Sequence, residues 1–392
     1  MVLPNAAVDR EQFSGFRSGN YSGRAGALCL SFDGSWDLRR IRPHFFPRGA
    51  SVIFARRTDN PTVLNETTMV WRGRLGRVNC SWAVARGELA REMGSLTRTD
   101  GSPKSEFASR FSQGATFNPR LLFIVAEREA GPLGLPAGRM GIESSRSANE
   151  KTPYKDLPSV HGVVETEFVR PVYSGENLFP YRVVAPLQAV VPCSSSRLLT
   201  PREIELHPGL RNWWAQAEQV WEANRAPATK LSLMEQLDYQ SKMTKQLPVA
   251  PFRIVYNASG MHLAASKIQN TRAIVSKSLY WAAFREEAEA DFLCAILNSS
   301  ATTEFLRPLM SYGKDERHVD KHLWQLPIPS YDSENSAHQE LVSTSRQASD
   351  IANEFSIDPT LHFAATRRRI RQLIDNSQAG TRISEIVHDL LS

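Results

Sequence analysis

The chain has 392 residues, with 47 Lys+Arg against 41 Asp+Glu and a net charge of +6. At ~150 residues per domain this length leaves room for two or three domains. A 41% hydrophobic content with 8 Trp and 18 Phe excludes a chain disordered throughout. No apolar run reaches the ~18 residues of a membrane span.

The first residues lack the basic and apolar regions of a secretory signal. The four scattered cysteines (Cys29, Cys80, Cys193 and Cys294) form no CxxC and fit a reducing, cytoplasmic setting. Charge is uneven, since residues 1–120 hold 18 Lys+Arg and 10 Asp+Glu. Arg makes up 37 of the basic residues. That preference suits forked recognition of phosphates and base edges, and genomic codon bias would equally produce it.

In chain order, Val2-Leu3-Pro4 reads as the end of a buried strand, and residues 9–17 are helix-like. Strands are expected at 27–32 and 50–56, joined by a connection at 40–49 that contains Pro43 and Pro47. Residues 61–130 look β-rich. Residues 70–75 place Arg72 and Arg74 on one strand face, and 117–127 contain the strand sequence LLFIVAE. Residues 131–158 read as a long loop or flexible binding segment. Further strands are expected at 162–169 and 181–191.

Thr200-Pro201-Arg202-Glu203 is a helix start with a capping box, and a helix carrying Trp213, Trp214, Val220 and Trp221 follows it. Residues 232–246 are a second helical candidate. Residues 252–268 form a hairpin that turns at Asn257-Ala258-Ser259-Gly260, and 273–281 add a third strand. Helical spacing of Phe292, Ile296, Leu306 and Met310 spans 286–310. A polar loop at 311–332 ends in Leu326-Pro327-Ile328-Pro329, and helices near 336–355 and 360–375 follow. The fold class is mixed α/β (α+β).

No GxGxxG, GxxxxGK[ST] or GxSxG pattern occurs, so dinucleotide, P-loop and hydrolase readings lose their usual support. His318 and His322 have the spacing of two zinc ligands on a helix. The glutamate of HExxH and a third ligand are missing, and a polar loop or helix face accounts for the pair. Arg367, Arg368, Arg369 and Arg371 flank an apolar stripe of Phe363, Ile370 and Ile374, and read as a solvated helix face.

Several weaker motifs fall in one order. Leu297-Asn298-Ser299 ends an apolar helix, Tyr312-Gly313-Lys314 sits in the loop, and Leu323-Trp324-Gln325-Leu326-Pro327-Ile328-Pro329 precedes a polar helix with Gln339 near its start. This order resembles the end of the target-recognition domains of adenine-specific DNA methyltransferases and type I specificity subunits. Val2-Leu3-Pro4 with Gln12 and Phe16-Arg17 resembles the late catalytic-domain segment of such enzymes. Phe45-Phe46-Pro47 before Ala50-Ser51-Val52-Ile53-Phe54 is similar to their motif VIII. Gly114-Ala115-Thr116-Phe117-Asn118-Pro119-Arg120 and residues 252–281 resemble segments of the larger members.

The resemblance implies methyl transfer from S-adenosylmethionine to the adenine exocyclic amine, with the base extruded from the stack. It also implies an Asn/Asp-Pro-Pro-aromatic motif and an early glycine loop for the cofactor, and this sequence has neither. Asn60-Pro61 and Asn118-Pro119 are followed by Thr and Arg. No catalytic, cofactor-binding or metal residue is therefore expected here. Residues 1–65 would be the tail of a catalytic domain, 66–332 a target-recognition domain and 333–392 a helical segment. The partners would be double-stranded DNA and a separate catalytic methyltransferase polypeptide that binds S-adenosylmethionine, in restriction-modification or phage defence.

Phe46 matches the aromatic that stacks on the flipped base, or is a core residue of its loop. DNA contacts are expected from Tyr312, Lys314, Arg317, His318 and Lys321, from Lys267, Arg272 and Lys277, from Lys151 and Lys155, and from Arg72, Arg74 and Arg120. The alternatives are an active methyltransferase with unrecognised motifs and a non-enzymatic DNA-binding or protein-interaction module from a degenerate or truncated gene.

Overall fold

The computed structural model describes the chain except for residues 5, 10–13, 25, 44, 46–48, 78, 97–103, 131–133, 149, 311–317 and 359. The first sheet holds β1 (Val2–Pro4), β2 (Asn20–Gly23), β3 (Gly26–Arg42), β4 (Ala50–Arg57), β5 (Thr67–Arg74) and β6 (Ala90–Ser95). Helical turns α1 (Ala6–Asp9) and α2 (Ser14–Arg17) follow β1, and α3 (Trp82–Glu88) joins β5 to β6. The strand order is β1-β4-β3-β5-β6 with β2 on β3, and only the β3–β5 pair is parallel.

β3 is one strand where the sequence suggested a strand and then a connection. Residues 33–39, between the expected strand and the expected connection, hold the charged pair Asp37 and Arg39. In the sheet, however, the Asp37 carboxylate receives Arg39 Nε at 2.8 and 3.0 Å, so the pair is buried without an unmatched charge. Gly34 (φ +147°) takes up a bulge against β4. β1 is an edge strand with Val2 exposed, not a buried strand end, because it pairs with β4 alone. The sheet continues past the expected boundary at residue 65 to Ser95. One of its faces carries Phe54, Trp36, Trp71 and Trp82. The Trp36 and Trp82 rings are parallel within 4°, with centroids 6.0 Å apart.

After α4 (Phe107–Arg110), β7 (Ser112–Gln113) and α5 (Arg120–Phe123) come β8 (Ile124–Glu127), β9 (Arg139–Ser144), β10 (His161–Glu165), β11 (Val169–Tyr173), the small pair β12 (Leu178–Phe179) and β13 (Arg182–Val183), and β14 (Leu187–Val190). The second sheet has the order β10-β9-β8-β14-β11-β17, where β17 (Ile274–Val275) joins in parallel. The first half of LLFIVAE is thus a helical turn, and the expected loop at 131–158 contains a strand, β9. Its short run around Met140 and Ile142 was hidden by glycine and serine neighbours.

The helices α6 (Pro201–Ile204), α7 (Pro208–Asn224) and α8 (Leu233–Leu237) follow. Thr200 and Glu203 form the expected capping box, but on a single turn, and Pro208 restarts the helix. Glu165 caps that restart by accepting the Gly209 and Leu210 amides at 3.0 and 2.8 Å. Burial would raise its pKa, and these amides together with Arg139 bring it below the ordinary value. Trp213, Trp214 and Trp221 are buried in the core formed with the second sheet, and the Trp213 indole donates to Leu122 O at 3.3 Å.

The third sheet is antiparallel, in the order β16-β15-β18-β7, with β15 (Arg253–Asn257), β16 (Ala265–Ile268) and β18 (Leu279–Ala283). The expected hairpin is present. The expected strand at 273–281 splits between β17 and β18, which belong to different sheets. At this crossing a Cβ on Gly114 would lie 2.3 Å from Val275 O and 2.4 Å from Ser276 O, so only glycine fits.

Five helices complete the fold: α9 (Glu287–Asn298), α10 (Ser300–Leu306), α11 (Ser336–Glu354), α12 (Phe363–Asp375) and α13 (Gln378–Leu391). The single helix expected over 286–310 breaks at Ser299, whose hydroxyl accepts the Ala301 amide and caps α10. Before the break, Asn298 Oδ1 accepts Ala265 N–H at 2.9 Å, and its Nδ2 donates to Ala265 O (2.9 Å) and Cys294 O (3.0 Å).

Arg371 and Arg367 turn inward, correcting the solvated-face expectation for these two. Arg371 donates to Asn298 O and Leu263 O, and Arg367 donates to Gly175 O and Leu178 O. Arg368 and Arg369 are exposed as expected. Leu326 and Ile328 are buried without joining a sheet. α13 went unread in the sequence despite its Ile383, Ile386, Val387 and Leu391 stripe, and it shares one core with α9, α11, α12 and the third sheet. Among the described residues no helix is long and apolar enough to cross a membrane.

Replacing Asn298 with Ala leaves the buried Ala265 N–H unpaired, while Ala265 O keeps the Tyr181 N–H. It is expected to cost about 1–3 kcal/mol, read as a lowered calorimetric unfolding transition. An unchanged transition would remove the role given to this amide.

Candidate functional site

Three lysines converge beside β7 and the β17–β18 crossing. Lys242 follows α8, and its Nζ donates to Gln113 Oε1 at 2.9 Å. Gln113 Nε2 in turn donates to Lys277 O at 2.8 Å, which fixes the two segments together. The Lys277 pKa is lowered by desolvation of its stem and then by the charges of Lys242 and Lys151. The Lys242 pKa is lowered by burial and then by Lys245. Like charges are thus held close on one surface, an arrangement that raises the free energy of the unliganded protein and favours an anion.

The surface continues on two sides. On one, Gln113, Tyr280, Asp320, Lys321, His322 and Gln325 line a hollow of about 470 Å³. Tyr280 stacks on Tyr256 with centroids 5.1 Å apart, and burial followed by Asp320 pushes its phenol up to about 12. Gln325 Oε1 is buried without a hydrogen-bond partner. On the other side Lys151 and Ser278 reach a cavity of about 660 Å³, lined also by Arg120, Glu150, Tyr154 and Trp221.

The expected site residues divide accordingly. Lys277, with Lys151, lies in the lysine cluster, and Lys321 lies in the hollow. His318 is exposed, 3.6 Å from an Asp320 carboxylate oxygen, and its backbone bridges to Ser259. Arg120 lines the cavity but is held by Glu176 at 2.9 Å. Lys155 is exposed in the turn at Tyr154–Asp156.

Other expected contacts are engaged in holding the fold. Lys267 is half-buried between Glu287 and Asp291. Burial opposes its charge, but these carboxylates raise its pKa. Arg272 donates to the Thr166 and Val169 carbonyls at 3.2 Å. Arg72 pairs with Glu92 at 3.3 Å, and Arg74 ends β5 exposed, both on the first sheet. Phe46, Tyr312, Lys314 and Arg317 lie outside the described residues.

Sequence reading missed Lys242, Lys245 and Gln113. The signal available was the lysines themselves, only 10 in the chain, although their meeting depends on the tertiary fold.

His318 and His322 are not on one helix, since His322 begins a separate 3-10 turn at His322–Gln325. No group of three metal-ligating side chains occurs among the described residues. In the first sheet α3 connects the antiparallel neighbours β5 and β6.

No protein-family model and no curated protein matches the sequence. Among solved structures the chain is similar to the type IIL restriction-modification enzyme MmeI in complex with DNA. The TM-score is 0.53 at 9% identity, over 100% of this chain and 46% of that one. The type IIG restriction endonuclease BpuSI gives a TM-score of 0.30 at 11% identity, over 98% of this chain and 46% of that one. The chain therefore spans about half the length of either protein, and the likeness to MmeI establishes a shared mixed α/β fold.

Lys242→Gln removes a positive neighbour, so the Lys277 pKa is expected to rise toward its ordinary 10.5. The pH dependence of reductive methylation at Lys277, followed by peptide mass spectrometry, should move upward. An unmoved profile would show that the two charges are not coupled. Between the depressed and ordinary values the unfolded chain binds more protons, so this repulsion weighs less on stability as pH rises.

Proposed function

We propose that this chain is the DNA target-recognition portion of an S-adenosylmethionine-dependent N6-adenine DNA methyltransferase of the restriction-modification or phage-defence kind. It would act beside a catalytic part that carries the cofactor loop and the Asn-Pro-Pro-aromatic motif. The observation that carries this reading is the cluster of Lys151, Lys242 and Lys277. Lys242 and Lys151 both lower the Lys277 pKa, so the three ammonium groups face a shared surface, and a row of phosphates would favour their charged forms. The shared fold with MmeI, which was solved in complex with DNA, supports the same reading.

In this arrangement phosphate contacts set the register and planar polar groups read base edges. Lys151, Lys242, Lys277 and Lys321 would take phosphates. Gln325 in the adjoining hollow offers an amide, the donor–acceptor pair that matches base edges in the major groove, while the Gln113 amide holds Lys242 and Lys277 in place. The DNA contacts proposed for Tyr312, Lys314 and Arg317 rest on their place in the sequence alone. The role of Phe46 against an extruded base rests on its sequence context alone. On this reading methyl transfer falls to the catalytic part, and this chain binds and orients DNA.

The test is duplex binding across a salt series, with and without Lys242→Gln/Lys277→Gln. Affinity is expected to fall steeply with salt, and the log–log slope of the double variant should shrink by roughly 0.9 for each lysine that meets a phosphate. Binding that ignores salt, or a slope the variant leaves alone, would overturn the reading. Methylation is expected only when the catalytic part is added.

A further inference from the structure

The cavity beside the lysine cluster carries signs of a ligand that the proposed DNA surface does not require. Glu150 is 94% buried at its side chain (6% exposed). Its Oε2 meets Arg146 Nε at 2.9 Å, while Oε1 is buried without any hydrogen-bond partner. Arg146 is itself fixed by donating to the carbonyls of Tyr154, Lys155 and Leu157 at 2.8–3.0 Å, so the carboxylate is rigidly held. The Tyr154 hydroxyl is likewise buried and unpartnered. Orphaned buried acceptors and donors are costly, and two lining one cavity point to a group that would satisfy them.

The remaining walls indicate what that group is. The Tyr154 and Trp221 rings lie near-parallel, 20° apart with centroids at 6.3 Å, and both line the cavity, so it has an aromatic side. Arg367, which also lines the cavity, is bonded to backbone carbonyls and has no carboxylate partner among the described residues. Its pKa is lowered to about 10 by burial and then by Arg371, as expected for a guanidinium whose charge is not matched. Lys151 stands at the same cavity. Arg120 and Glu176 cancel one another, so the lining is left with net positive charge.

A volume of about 660 Å³ lies within the ~300–1,000 Å³ of small-molecule sites. The chamber thus joins an aromatic wall, a lone acceptor for an N–H donor, a hydroxyl, and unmatched cations. A heteroaromatic base carrying a phosphate has each complementary feature.

We infer that this cavity binds a single nucleotide, with its base edge donating to Glu150 and its ring against Tyr154, and its phosphate toward Lys151 and Arg367. Such a nucleotide is either free in solution or one unit of a DNA strand.

The experiment uses the full chain and calorimetric titration with each of the four 2′-deoxynucleoside 5′-monophosphates, and with inorganic phosphate alone. Saturable mononucleotide binding, tighter than phosphate, is expected. Glu150→Gln and Lys151→Ala should each weaken it about tenfold, the scale of one charge-assisted hydrogen bond. Tyr154→Phe keeps the ring and removes only the hydroxyl. It stands in should Glu150→Gln not fold, as checked by circular dichroism.

Competition between mononucleotide and duplex would identify the occupant as a unit of DNA, and simultaneous binding would identify a free nucleotide. Absence of mononucleotide binding, binding no tighter than phosphate, or binding indifferent to these variants would overturn the inference. Duplex binding through Lys242 and Lys277 is measured separately, so either idea can fail without the other.

Discussion

The side-chain amide of Asn298 is the joint on which the larger half of the molecule depends. Its two hydrogen bonds to Ala265 use the amide as though it were one more residue of a neighbouring strand. The end of α9 is thereby fixed to the edge of the third sheet. The carbonyl of the same residue accepts from Arg371, which also reaches Leu263. A helix end, a sheet edge and a second helix are therefore tied at a single residue that is 5% exposed. The opposite edge strand of this same sheet, β7, carries Gln113, which holds Lys242 and Lys277 together.

Local signals were legible in the sequence where one residue type has one local use. The Thr200–Glu203 box, the turn before Gly260 and the apolar spacing of α9 and α12 all appear where they were read. The motif Leu297-Asn298-Ser299 proved to be structural at each position: a core leucine, the joint amide and a helix cap. What was not legible depends on partners distant in the chain. Asp37 and Arg39 carry charges that fit a buried strand only because each neutralises the other inside the sheet. The segment 273–281 looks like one strand, and nothing local shows that its halves serve two sheets. Lys242 and Lys277 are unremarkable in sequence and become informative only when Gln113 is found between them.

The arginine preference takes on a different meaning in the folded chain. Arg182 gathers the carbonyls of Ala352, Asn353 and Phe355 at the end of α11, and Arg272 gathers those of Thr166 and Val169. Arg146, Arg367 and Arg371 do the same elsewhere. A guanidinium presents five donors in a fixed fork, which suits it to closing several unsatisfied carbonyls at once. Much of the basic content therefore serves the protein's own backbone. Outward charge is shared between exposed arginines such as Arg368 and Arg369 and lysines such as Lys151.

The first sheet presents two indole rings, Trp36 and Trp82, in near-parallel planes with centroids 6.0 Å apart and with Trp82 more than half exposed. Indole chromophores this close couple. The pair therefore acts optically as a single dimeric chromophore whose circular dichroism is distinct from that of the tryptophans buried under α7. Anything that settles on that face or shifts α3 relative to β3 changes the coupling, so the sheet carries its own unlabelled reporter.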